Sequence, residues 1–133
     1  MNLVREDDMV VVSHLGVPCR SKQEADLFFT RLLGLPHQRT FQVTSEIASR
    51  IFHVSGDVEV HVYDDGVTRI EAFVTTQPYQ PVYTHIGVEV VALPGFLDRC
   101  RQHGLECLSI PRGDKQLHFV LDFAGNLYEL TEQ

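Results

Sequence analysis

Along this chain, runs in which every second residue is apolar give way to stretches whose apolar residues recur at three and four, and these switches mark out its elements. Residues 9–17, Met-Val-Val-Val-Ser-His-Leu-Gly-Val, predict a β-branched strand after a polar, acidic arm over residues 1–8. Ser21, with Glu24 three positions on, is an N-cap for a helix whose apolar stripe Ala25, Phe28, Phe29, Leu32 and Leu33 stops at Gly34. Residues 37–43 are polar and weakly alternating, as in an edge strand. Thr44 or Ser45 then opens one or two turns of helix carrying Ile47, Ala48, Ile51 and Phe52, with another strand as the rival assignment. Val58, Val60 and Val62 alternate with Glu59, His61 and Tyr63, Asp64-Asp65-Gly66 turns the chain, and residues 68–74 alternate again, which predicts a β-hairpin. A connector of about ten residues containing Pro78 and Pro81 follows, after which the pattern starts over.

The second half repeats the first. His85-Ile-Gly-Val88 restates His14-Leu-Gly-Val17, and Gly104-Leu105 restates Gly34-Leu35, with the helical pattern of Phe96, Leu97, Cys100 and Arg101 between. Residues 121–129, Leu-Asp-Phe-Ala-Gly-Asn-Leu-Tyr-Glu, match residues 63–71 as strand, turn and strand ending in Glu. The offset is shorter there because the first half carries the extra turn over residues 44–52. Each half is thus a βαβββ module, the first about 9–76 and the second about 83–133. A module of this size is marginal alone, so both are expected to share one core in a single domain, 1–133, closed around a common cleft.

Period-two geometry then sorts the side chains. Leu15, Val17, Ile86 and Val88 face the helices, whereas His14 and His85 face the cleft. Glu71 opposes Ile70 and Ala72, and Glu129 opposes Tyr128 and Leu130, so both carboxylates also point away from the helices. Two imidazoles and two carboxylates in matching repeat positions are a donor set for a divalent transition metal, at about 2.0–2.2 Å for zinc. Without a cation, two carboxylates aimed into one apolar cleft would repel each other.

Charge and composition narrow the function. Eleven Lys and Arg against eighteen Asp and Glu give a net charge of −7, which disfavours nucleic acid or an anionic membrane surface and favours a small-molecule substrate. Three cysteines, Cys19, Cys100 and Cys107, without CxxC spacing and without a secretory pattern at the start point to a reducing cytoplasm. No apolar run approaches the roughly 20 residues of a membrane span.

His-Leu-Gly-Val, helix, Leu-Gly-Leu, then His-Ile-Gly-Val, helix, Gly-Leu and finally Asp122-Phe-Ala-Gly-Asn-Leu-Tyr-Glu129 together resemble the vicinal oxygen chelate superfamily over nearly the whole chain. That superfamily includes glyoxalase I, methylmalonyl-CoA epimerase, fosfomycin-resistance transferases, extradiol dioxygenases and bleomycin-binding proteins. The resemblance implies an α+β fold of paired βαβββ modules, an eight-stranded cup-shaped mixed sheet. Its metal ligands map onto His14, Glu71, His85 and Glu129. Many members carry Asp-Pro-Asp-Gly-Asn where this chain has Asp122-Phe-Ala-Gly-Asn126, which keeps the turn glycine and loses the proline.

A His, Glu, His, Glu set resembles glyoxalase I, and the epimerase set differs by Gln for the first Glu. The reading that follows is a lyase or isomerase that stabilises an enediolate of a small oxygenated metabolite, with Zn, Ni, Fe, Mn or Co as the metal and Glu71 or Glu129 as the proton carrier. An Fe(II) extradiol dioxygenase using His14, His85 and Glu129 is the alternative. A metal-free binder of the bleomycin-resistance type is the third reading, and the presence of all four ligands argues against it. Hairpin register arithmetic places His118 opposite Glu129 and Val60 opposite Glu71, which makes His118 a third catalytic candidate and turns Glu59 and His61 away from the cleft. Arg112 is expected on a loop, where it could clamp an anionic group, and Cys100 in the core. No basic cluster for glutathione is evident. A homodimer joined through outer sheet edges completes the expectation.

Overall fold

The computed structural model describes residues 10–77, 83–121, 123 and 125–133. The acidic arm, Pro78, Pro81, and Asp122 and Ala124 of the C-terminal motif lie outside the described residues. The chain forms two compact units, His14–His85 and Ile86–Gln133, the latter with residues 10–13. Both contain helices and strands of mixed direction, so the fold is α+β, with eight strands among the described residues.

In the first unit β1 (Val11–Cys19) leads into α1 (Lys22–Ala25), which continues without a break as a π-helical stretch over Asp26–Leu32. Ser21 caps it, its Oγ accepting from the Glu24 backbone N–H at 3.1 Å. The predicted stripe does not survive the change of helix type. In the π stretch the Leu33 N–H bonds the Phe28 carbonyl, five residues back, so residues three and four apart no longer share a face. Ala25 and Phe29 pack on the sheet, while Phe28, Leu32 and Leu33 point outward.

β2 (His37–Val43), α2 (Ser45–Ile51), β3 (Val58–Asp64) and β4 (Arg69–Val74) complete the unit. Helix rather than strand is therefore the outcome at 45–51. Its N-terminus is capped from a distance by Asp57, whose Oδ1 accepts from the Ser45 N–H at 2.8 Å. The strands lie in the order β2-β3-β4-β1, with β1 and β4 parallel and the other pairs antiparallel. Leu15, Val17, Ile70, Ala72 and Tyr63 pack beneath Ala25, Phe29 and Leu35, as the alternation required. Val62, not Val60, is opposite Glu71; this shift of two residues preserves the faces, so Glu59 and His61 remain on the helix side.

In the second unit β5 (His85–Val90) enters α3 (Leu93–Gln102), followed by β6 (Cys107–Arg112), β7 (Lys115–Leu121) and β8 (Leu127–Glu132), in the order β5-β8-β7-β6. Val88, Val90, Leu97, Cys100, Val120 and Leu130 form its core. Arg112 ends β6 in a tight hairpin rather than lying on a loop. The β7–β8 register departs from the expected one by a single residue. Leu121 pairs with Leu127 instead of Asn126, so Phe119 faces Glu129 and His118 is opposite Leu130. A one-residue change moves a side chain to the other face, so His118 shares the face of Leu130 and not that of Glu129. It bonds Ser109 Oγ at 3.1 Å instead.

Candidate metal centre

Two parallel strand pairs position the four residues singled out by the repeat. Gly16 on β1 is the register partner of Glu71 on β4, and Gly87 on β5 is the register partner of Glu129 on β8. Residues paired across a ladder share a face, as do residues two apart on one strand. His14 therefore shares a face with Glu71, and in the other module His85 with Glu129.

Within the first unit, His14, Glu71 and His85 offer ligand atoms that all lie within 4.8 Å of one another. The two histidines are buried and Glu71 is partly buried. Their Nε2 atoms stand 3.0 Å apart, with the rings edge to face. Two nitrogens each about 2.1 Å from one metal ion, at a right angle, would be about 3.0 Å apart. Glu129 sits partly buried on β8 of the second unit.

Thr84 bears on the tautomer of His85. Thr84 Oγ1 donates to the Gly16 carbonyl at 3.3 Å and lies 2.9 Å from His85 Nδ1. With its proton spent on the carbonyl, the hydroxyl accepts from His85, so Nδ1 carries the ring proton and Nε2 presents a lone pair to His14. A shared proton on His14 Nε2, or a cation between the two nitrogens, satisfies that arrangement. The ring also needs room. A Cβ on Gly16 would overlap the His85 ring and lie 2.9 Å from Thr84 Oγ1, so only glycine fits beneath it.

Glu71 is held from two sides. Arg69, two residues earlier on the same face of β4, reaches Glu71 Oε2 with Nε at 3.1 Å and Nη2 at 2.8 Å. His14 Nδ1 lies 3.6 Å from the same oxygen, too long for a hydrogen bond but close enough to feel its charge. Phe73, next along that face, stacks on Phe52 with ring centroids 4.0 Å apart, and Phe52 lies 6.1 Å from the His85 ring. The extra α2 segment thus supplies an apolar wall to this site.

Arg69, Thr84, Phe52 and Phe73 carry no motif, whereas Gly16 belongs to the repeated His-x-Gly-Val. Alternation alone places Arg69 and Phe73 on the face of Glu71, whereas Phe52 and Thr84 meet the site only through the tertiary fold.

No family model and no curated protein matches the sequence. Solved structures do. A hypothetical protein from Bacillus halodurans superposes with a TM-score of 0.68 at 17% identity, covering 93% of this chain and 94% of that one. Methylmalonyl-CoA epimerase from Mycobacterium tuberculosis gives 0.69 at 14% identity, over 91% of this chain and 86% of its own. The chain has the fold of the vicinal oxygen chelate superfamily. A Streptomyces coelicolor methylmalonyl-CoA epimerase in complex with 2-nitronate-propionyl-CoA is also similar, with a TM-score of 0.64 at 18% identity over 92% of this chain and 96% of that one. At these identities the similarity of this vicinal oxygen chelate fold concerns architecture, and the chemistry has to be argued from the side chains. Among the described residues, no helix is long and apolar enough to cross a membrane.

Proposed function

We propose that this protein is a metal-dependent vicinal oxygen chelate enzyme, a glyoxalase-like isomerase or lyase that moves a proton next to a carbonyl of a small oxygenated metabolite. The observation that carries this reading is the pair of buried imidazole nitrogens 3.0 Å apart, one of them held in its lone-pair tautomer, with a carboxylate beside them. His14, Glu71 and His85 would hold the ion, and Glu129 is the proposed fourth ligand because it has the same register position in its module as Glu71 has in the other. Zn, Ni, Fe, Mn and Co all suit an imidazole and carboxylate set. When bound, such a metal supplies a Lewis acid that lowers the cost of negative charge on the substrate oxygens.

The residues of the chain divide the remaining work. Arg69 donates two hydrogen bonds to Glu71, and releasing that carboxylate would break both. We therefore assign Glu129 as the group that takes the proton from carbon onto a carboxylate oxygen and returns it. Phe52 and Phe73 exclude water from the side of the His85 ring. The epimerases of the same fold act by name as isomerases on a CoA thioester, which makes methylmalonyl-CoA the first substrate to try.

The test is α-hydrogen exchange in deuterated water, followed by NMR with methylmalonyl-CoA and a panel of 2-hydroxy ketones. Exchange that needs added metal and disappears in His85→Ala supports the proposal. Oxygen uptake with a catechol and Fe(II) would instead support the dioxygenase, whose two-His-one-carboxylate set would be His14, His85 and Glu129. A protein that binds no metal and exchanges nothing would leave the metal-free binder standing.

A further inference from the structure

A second group of imidazoles lies on the opposite face of the first unit's strands. His37 Nε2 is 3.1 Å from His61 Nδ1, and Thr40 Oγ1 is 3.1 Å from the former and 2.9 Å from the latter. Three donor atoms thus form a nearly equilateral triangle with the N···N spacing of the His14–His85 pair. The edges are close to the roughly 3.0 Å expected between two ligands at a right angle, each about 2.1 Å from one ion.

Three features show that the triangle is built. His61 is 1% exposed, and its other nitrogen, Nε2, lies 2.7 Å from Glu59 Oε2. The carboxylate accepts a hydrogen bond from the Nε2–H, so the neutral ring turns the Nδ1 lone pair toward His37 and Thr40, the carboxylate–histidine arrangement found behind metal-bound imidazoles. Thr40 is the direct register partner of His61. His37 is three residues before Thr40 and would face the other way in a regular strand. The irregularity between His37 and Arg39, where Gln38 is the extra residue opposite β3, brings it onto the same face. A bulge that re-aims one histidine at another is a local cost with a specific geometric product. Lys22 is engaged by Asp26 at 2.6 Å, and Asp26 Oδ1 accepts from Tyr63 at 2.7 Å.

We propose that His37, His61 and Thr40 form a second divalent transition-metal site that fastens edge strand β2 to β3, with Glu59 orienting His61. Two imidazoles and a hydroxyl suit Zn(II), Ni(II) or Cu(II), with water filling the remaining positions. The site is independent of the one proposed for catalysis and shares no residue with it.

The experiment is metal stoichiometry on untagged, stripped and Zn(II)-reloaded protein by equilibrium dialysis and elemental analysis. Two ions are expected for the wild type, one for His14→Ala, one for His37→Ala and none for the double variant. Glu59→Gln should weaken the second ion about 10–100-fold without removing it. His37 is the variant of choice because it is only half-buried on an edge strand, whereas His61 is in the core and its loss risks the fold. As a second readout, Zn(II) should raise the melting temperature of His14→Ala but not of His14→Ala/His37→Ala. One ion in the wild type that survives His37→Ala and is lost in His14→Ala overturns this site and leaves the catalytic one. One ion lost only in His37→Ala does the reverse. No ion in the wild type overturns both and means the triangle is a hydrogen-bond network alone.

Discussion

At the scale of single residues, the candidate centre depends on groups that do not themselves qualify as ligands. Gly16 leaves the space that the His85 ring fills, and Thr84 fixes that ring's proton. Gly16→Ala should therefore displace His85 and lower metal affinity by about 10–100-fold, the usual cost of disturbing a ligand's support. Thr84→Val, which keeps the shape and removes the hydroxyl, should act in the same direction, and metal titration with circular dichroism of the stripped protein separates this from misfolding. Arg69→Gln should likewise loosen the ion, and Arg69→Lys should restore only part of the loss, because an ammonium cannot replace the two-nitrogen fork on Glu71 Oε2. The repeat made His14, His85 and the two glutamates visible in the sequence, since equivalent positions reinforced one another. Thr84 and Gly16 were not visible as partners, because a hydroxyl between a carbonyl and an imidazole is a product of three-dimensional approach.

At the scale of elements, faces were legible wherever alternation continued and lost where the chain changed geometry. Val58, Val60 and Val62 kept their face even though the hairpin register moved by two residues. The β7–β8 turn moved by one, which no hydrophobic pattern across a loop could specify, and His118 changed face as a result. Accordingly, His118→Ala should leave proton exchange near the wild-type rate while Glu129→Gln abolishes it. The π-helical stretch is a second such point, because its five-residue hydrogen bonds rotate Phe28, Leu32 and Leu33 out of the predicted stripe.

The same helix sets the ionisation of its neighbours. Burial raises the Tyr63 phenol well above its ordinary value, with the Asp26 hydrogen bond adding to it. A group with a raised folded-state pKa contributes its stability in full below its unfolded value, about pH 10 for tyrosine, and loses it as pH rises further. Chemical denaturation from pH 8 to 11 should show this fall, and Tyr63→Phe should flatten it. Burial likewise pushes the Cys19 thiol up to about 11, with Glu24, Asp26 and Glu59 adding to the effect. Cys19 should accordingly react slowly with iodoacetamide at neutral pH in the native protein and quickly once it is unfolded.

At the scale of the molecule, the internal repeat connects sequence to function. Each module places a histidine, a glycine two residues later, and a glutamate that pairs with that glycine across parallel strands. The two modules thus carry the same His and Glu at equivalent register positions. The α+β class and the paired modules were legible in the pattern of the chain, and the second imidazole group was not, because His37 reaches His61 only through a bulge. Strands β2 and β6, each at an edge within its own unit, also offer edges for association, and the expected homodimer should appear as twice the chain mass in light scattering.

The central claim is that His14, Glu71 and His85 hold a divalent metal. An anomalous difference map, recorded at the absorption edge of the metal found in the purified protein, tests it most directly. The account predicts a peak in contact with Nε2 of both histidines and a Glu71 carboxylate oxygen. A map without anomalous density there, with the two nitrogens still sharing a hydrogen bond at 3.0 Å, would contradict it.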